Sequence, residues 1–272
     1  MDDPDDADPG MDEIKIMEDS VAEIIPELRE ARMIRMCTGV RPLYTTGKET
    51  GRDISRGMIL LDHEEMEGVA GIITITGGKY ATARLMAEEA VDLACQKLVG
   101  KVIPCTSHKE LIYGATSKEE AEKDAQEIHE KYHISRYAAH KFTARYGKFA
   151  KKILEQYPDQ AYIIDDAVQM IGSEVCYSFN EENVENFRDL RRRTRLGMGQ
   201  EQGTFSIYKA GAIAQEELGM TPAEAEDRVL GYVQERWKGV YFAAQYGDQL
   251  PLSELMQEMY VSTGSYDVLS IE

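Results

Sequence analysis

The stretch Ile73-Thr74-Ile75-Thr76-Gly77-Gly78-Lys79-Tyr80-Ala81-Thr82-Ala83-Arg84-Leu85-Met86 sets the fold class. β-Branched residues over 70–76 read as a strand, and the glycine pair breaks it. From 80 to 98 the period changes. Met86, Ala90, Leu93, Ala94 and Leu98 then fall on one helical stripe. Strand, glycine turn and helix therefore follow one another within thirty residues.

Upstream, residues 34–43 and 57–62 are short Val/Ile/Leu-rich runs bounded by Gly, Pro and charge, and both are expected as strands. Residues 1–10 form an acidic tail or connector that would not fold alone. A helix is expected from 11 to about 25, cut by Pro26, with a short second piece over 27–33. Downstream of Ser117 the pattern is helical and no strand is expected. Helices are placed at 118–132, 135–146, 148–156, 160–170, 183–196, 204–218, 222–236 and 252–259. Ser117 with Glu120 has capping-box spacing, and Thr221-Pro222 is an N-cap followed by proline at the first helical position. The expected class is α+β: a short sheet plus helix, then an all-helical C-terminal region.

Lys and Arg number 31 against 49 Asp and Glu, a net charge of −18, which argues against coating nucleic acid or anionic lipid by bulk electrostatics. No run of eighteen apolar residues exists, and the amino terminus lacks the apolar core of a secretory signal. The four cysteines, Cys37, Cys95, Cys105 and Cys176, show no C-x-x-C pair. That spacing disfavours a disulfide framework or a zinc site, and a reducing cytoplasm is the plain expectation.

Chemistry concentrates where strand ends meet turns: Gly39-Val40-Arg41-Pro42-Leu43, Gly51-Arg52-Asp53-Ile54-Ser55-Arg56, and Gly77-Gly78-Lys79. Arg41, Arg56 and Lys79 could complement the oxygens of a small phosphorylated substrate. They read equally as surface ion pairs in an acid-rich chain. The glycine turn could aim backbone N–H groups at a ligand oxygen such as the pyrimidine edge of a flavin, or be a plain tight turn. His63, just past a strand, is a candidate base but reads more simply as an exposed histidine. His129, His133 and His140 have no accompanying carboxylates at metal spacing, and no metal site is expected. The arginines at 191–193 and 195 suit a helix end, or an acidic partner or phosphate. Trp237 is expected to anchor the last helix.

These motifs together resemble the C-terminal part of FAD-dependent glycerol-3-phosphate dehydrogenases. GVRPL at 39–43, Ser55-Arg56, and Ile75 to Lys79 followed by Thr82, Arg84, Leu85, Met86, Ala87 and Glu88 carry the first part of the likeness. RRRTRLGMGQEQG at 191–203, ERWKG at 235–239 and GDQL at 247–250 are similar to the tail of the large subunit of the anaerobic type. The resemblance implies that 11–105 is the C-terminal part of a flavin and substrate domain, that 106–170 is a helical cap, and that 171–272 is a degenerate helical domain like bacterioferritin-associated ferredoxin. It makes Arg41, Arg56 and Lys79 substrate contacts, and Gly77, Gly78, Lys79 and Thr82 contacts to the flavin edge. No catalytic base is identified.

Two departures accompany it. The glycine-rich FAD fingerprint is missing; Gly197, Gly199 and Gly203 have the wrong spacing and no preceding strand. The chain then reads as a natural fragment, a piece made for expression or a split subunit, partnered by an N-terminal FAD-binding half and by other dehydrogenase subunits. It should hold FAD weakly or not at all by itself. Second, Cys176, Ser178, Glu201 and Ser206 stand where a [2Fe-2S] cluster needs four cysteines, so a cluster is not expected. The implied function is part of an enzyme oxidising sn-glycerol 3-phosphate to dihydroxyacetone phosphate. A non-catalytic subunit-docking module is the alternative. The implied location is cytoplasmic, or peripheral at the membrane through partner subunits.

Overall fold

The computed structural model describes residues 10–45 and 54–245. The chain divides into two compact units, one comprising Thr38–Ile112 and the other Pro9–Cys37 with the residues from Tyr113 onward.

In the first unit, strands β1 (Met58–Asp62) and β2 (Ile73–Gly77) pair antiparallel, with Met58 opposite Gly77 and Asp62 opposite Ile73. A one-turn helix, α2 (His63–Glu67), lies in the connection. It starts because the Asp62 carboxylate accepts the Glu64 N–H at 3.1 Å, and stops at Gly68 in the left-handed region. After a 3-10 turn over Tyr80–Thr82, helix α3 runs Ala83–Val99. Lys97 on α3 reaches Asp62 at 2.6 Å and Glu64 at 2.8 Å, tying the helix to the hairpin. Asp62 is the one buried residue among the described residues of this unit, so no apolar side chain is buried there. The expected apolar stripe of α3 stays partly open, with Leu98 83% exposed.

The strand expected at 34–43 does not form. The chain runs without regular structure from 34 to 45. Arg35 and Met36 instead cross helix α10 (Pro222–Gln245), where the Met36 N–H donates to the Gly239 carbonyl at 3.0 Å. A Cβ at Gly239 would sit 2.6 Å from Arg35 Nε, so glycine permits the crossing. Pro42 removes a donor, and no strand among the described residues supplies a ladder.

The second unit begins with α1 (Met11–Ala22) and a 3-10 turn at Pro26–Glu30. Helices α4 (Lys118–Tyr132), α5 (Arg136–Tyr146) and α6 (Ala150–Gln156) bury Ile128, Phe142, Ile153 and Leu154 in one cluster. The expected Ser117–Glu120 capping box closes α4 with both of its hydrogen bonds. Helices α7 (Gly172–Glu181), α8 (Phe187–Thr194), α9 (Ser206–Leu218) and α10 build a second cluster around Val175, Phe187, Leu190, Ile207, Tyr232 and Trp237. Ile14, Met36 and Ala243 form a small third one.

The all-helical expectation for the C-terminal region fails at 160–170, where β3 (Ile163–Asp165) pairs with β4 (Met170–Ile171). The Asp165 carboxylate accepts the Ala167 and Val168 N–H groups at 3.1 and 3.3 Å, and this Asx turn outcompetes a helix. Helix α7 was not expected, because Gly172 reads as a terminator; here it is the first helical residue. The helix expected at 252–259 lies outside the described residues.

Candidate functional site

The β1–β2 register places the two strongest sequence candidates at one end of the hairpin. Arg56 precedes Met58 by two residues, and Lys79 follows its partner Gly77 by two. Gly77 and Gly78 both have left-handed φ, 72° and 76°. A Cβ on Gly77 would approach the Gly57 carbonyl oxygen to 2.4 Å, and one on Gly78 would meet Met86 Sδ at 2.6 Å. The glycines are thus required by the chain's own close packing. Lys79 and Arg56 are exposed.

Thr82 is committed locally. Its hydroxyl donates to the Lys79 carbonyl at 2.8 Å and accepts the Lys79 N–H at 3.3 Å, closing the turn into α3. It shapes the glycine turn and does not point a free hydroxyl at a ligand. Arg41 lies in the irregular 34–45 segment and makes no hydrogen bond or ion pair among the described residues. The Gly51-Arg52-Asp53 part of the expected turn lies outside them. The structure therefore brings Arg56 and the Gly77-Gly78-Lys79 turn to one sheet end, and does not bring Arg41 to them by any contact.

These residues present a glycine turn and two exposed cations at one end of the hairpin. Histidine as base gains nothing from the geometry. His63 bonds Thr74 Oγ1 through Nε2 at 2.9 Å and Glu67 through Nδ1 at 3.3 Å. His129 Nδ1 meets the Ile134 carbonyl at 2.7 Å, and His140 pairs with Glu122 at 3.3 Å. Among the described residues no group of three or more His, Cys, Asp or Glu could hold a metal ion.

A feature that residue type alone did not reveal lies in the second unit. Glu201 accepts the N–H groups of Gly203 at 3.0 Å, Phe205 at 2.8 Å and Ser206 at 3.4 Å, and the Ser206 hydroxyl at 2.5 Å. Partial burial pushes its carboxyl up, but the bonds from Phe205 and Ser206 outweigh this and hold it below the usual carboxylate range. The loop before α9 has an internal anion where the resemblance called for soft ligands. Cys176 is fully buried in the second cluster, and burial pushes its thiol up to about 12. A neutral buried thiol and a carboxylate already saturated by donors do not fit a two-iron cluster. Gly197 and Gly203 bring the α8–α9 loop against Tyr232, whose hydroxyl donates to the Gln202 carbonyl at 3.1 Å, while Gly199 packs against Ala167.

Comparison with known proteins agrees with the motif resemblance. Residues 105–225 match the family model described as the C-terminal domain of alpha-glycerophosphate oxidase. Over 96% of its length the chain is 34% identical to an anaerobic glycerol-3-phosphate dehydrogenase subunit of Haemophilus influenzae, of which it covers 46%. It is 36% identical over 92% of its length to the subunit of the same name from Escherichia coli K12, covering 45%. A glycerol-3-phosphate dehydrogenase of Synechocystis is 29% identical over 83% of the chain. The chain spans less than half the length of the curated relatives it matches.

Proposed function

We propose that this chain is the C-terminal part of an FAD-dependent dehydrogenase that oxidises sn-glycerol 3-phosphate to dihydroxyacetone phosphate. The observation that carries the reading is the 34–36% identity to the anaerobic glycerol-3-phosphate dehydrogenase subunits across both units of the chain. A likeness confined to the helical unit would have favoured a docking module. The state of the first unit supports it too. A hairpin and helix with no buried apolar side chain, and with Leu85, Val91, Leu98 and Val99 between 46% and 83% exposed, is a layer suited to cover from a partner. An FAD-binding half supplies such a partner.

In this reading bound FAD would supply the hydride acceptor for substrate C2. Arg56 and Lys79 hold the phosphate, and Gly77 and Gly78 let the backbone of the turn approach the ring edge. Arg41 belongs to the phosphate clamp once a partner orders its segment. The base that takes the substrate hydroxyl proton comes from the partner. Other dehydrogenase subunits carry the electrons onward. Four free cysteines suit a cytoplasmic position; no helix among the described residues is long and apolar enough to cross a membrane, and partner subunits would supply any membrane association.

The test is to isolate the chain from its own cells through a tag at the native locus. The purified material is then assayed for flavin and for dye reduction dependent on glycerol 3-phosphate. Flavin and substrate-dependent reduction co-purifying with the chain is the expected result. A preparation that contains the chain and has neither overturns the proposal.

A further inference from the structure

Helix α1 is thinly held. It has 12 residues, and a helix of that length is marginal in water on its own. Ile14 is its one large apolar side chain that is buried, in the cluster with Met36 and Ala243. Met17 and Val21 carry the same stripe onward at three- and four-residue steps, and Ile24 and Ile25 follow just past the helix. These four are between 43% and 83% exposed, so the greater part of the stripe has no cover among the described residues. The segment that follows, 26–36, carries Arg29, Arg32 and Arg35 against Glu27 and Glu30. Arg29 reaches back to Asp19 of α1 at 3.8 Å in an exposed pair, and Arg32 faces no carboxylate at ion-pair distance among the described residues.

Helix α10 brings the chain to this face. Ala243 is buried against Ile14 and Met36, and α10 ends two residues later at Gln245. Residues 246–272 lie outside the described residues. In their sequence Leu252, Leu255, Met256, Met259 and Tyr260 fall at i, i+3, i+4, i+7 and i+8, one apolar face of a helix, with Glu254, Gln257 and Glu258 on the other side. The segment carries Asp248, Glu254, Glu258, Asp267 and Glu272, and no Lys or Arg.

We infer that residues 252–260 dock as an amphipathic helix on the open face of α1. They cover Met17, Val21, Ile24 and Ile25, and turn Glu254 and Glu258 toward Arg29 and Arg32. The six residues from 246 to 251 span about 20 Å when extended, and α1 is about 18 Å long, so the connector reaches the whole face. A tether of this length holds the segment at an effective concentration on the order of millimolar. A second copy of the chain, at micromolar concentration, competes poorly with it. The acidic character of the segment also matches the arginines beside the face.

The experiment is hydrogen–deuterium exchange of the whole chain at two protein concentrations, with Met256→Asp and, on the polar side of the same segment, Gln257→Asp. Met256→Asp should speed exchange of the α1 amides on the order of tenfold, the scale of uncovering one buried methionine. Gln257→Asp should leave them unchanged, and α7 should exchange alike in every variant. The reciprocal variant, Val21→Asp, should speed chymotryptic cleavage within 252–260 by a similar factor. Met256 lies outside α1, so its substitution tests the contact even where Val21→Asp loosens the helix itself. An α1 that exchanges in Met256→Asp as it does in the parent chain overturns the inference. So does α1 protection that rises with protein concentration and ignores Met256→Asp, which makes the occupant a second copy. Protection of α1 that arises only when a separate FAD-binding half is added assigns the face to that half and equally overturns it.

Discussion

A carboxylate that accepts three backbone N–H groups and a hydroxyl, as Glu201 does, fixes a loop more firmly than a surface acid could. Glu201→Gln keeps the shape but removes the charge and turns one acceptor into a donor. Since the group is partly exposed, we expect a loss of about 1–2 kcal/mol of stability at neutral pH, read by urea unfolding. The folded carboxyl sits below its ordinary 4.5. Its contribution is therefore complete above that value and lost as pH falls through the lower folded one, so the gap between wild type and variant should close in acid. Arg56 belongs to the same scale. On the proposed function, Arg56→Ala in the complete enzyme should raise KM for glycerol 3-phosphate roughly ten- to hundredfold, with flavin content unchanged. Unaltered steady-state constants would return Arg56 to the ordinary surface charges.

Elements here are joined by a few polar ties, and one of these is buried. Arg145 on α5 clasps Glu174 on α7 through Nε at 2.9 Å and Nη2 at 2.5 Å. It also donates to the carbonyls of Val168 and Gln169 in the β3–β4 turn, and Glu174 in turn accepts the Ile171 N–H. Glu174 is completely buried, so Arg145→Met would strand a carboxylate and should cost about 3–5 kcal/mol, visible as a lowered Tm. The same tie explains what the sequence hid. Helices α4, α5, α6 and α9 were legible because their periodicity is local, and the starts of α4 and α10 because Ser117 and Thr221 announce their caps. The β3–β4 hairpin was not, because its turn depends on Arg145, some twenty residues away, as much as on Asp165. At the candidate site, the strand–glycine–helix order was readable and the end-to-end placement of Arg56 and Lys79 followed from register. The role of Thr82 was not readable, since a hydroxyl that closes a turn and one that meets a ligand have the same sequence.

At the scale of the molecule, the two units differ in what holds them. The second has two large buried clusters; the first has a hairpin, a helix and the Lys97–Asp62–Glu64 ties. Exchange protection follows buried contacts. In the isolated chain, amides of β1, β2 and α3 should therefore exchange well before those of α7, α9 and α10, as followed by hydrogen–deuterium exchange with mass spectrometry. Equal protection in both units would show that the first is stabilised by something other than its own packing.

The crossing of Met36 over Gly239 also sets a clock. The Met36 amide finds its carbonyl partner roughly 200 residues later in the chain, and at ordinary synthesis rates of about 5–20 residues per second that interval is on the order of 10–40 s. For that time the nascent α1 segment has emerged while the helix it will pack on has not been made. Met17, Ile24 and Ile25, exposed among the described residues, are joined during the wait by Ile14 and Met36. Ribosome-bound chains stalled before residue 239 should accordingly present this segment to chaperones that bind apolar sequence, and chains stalled well after it should withdraw Ile14 and Met36 from them.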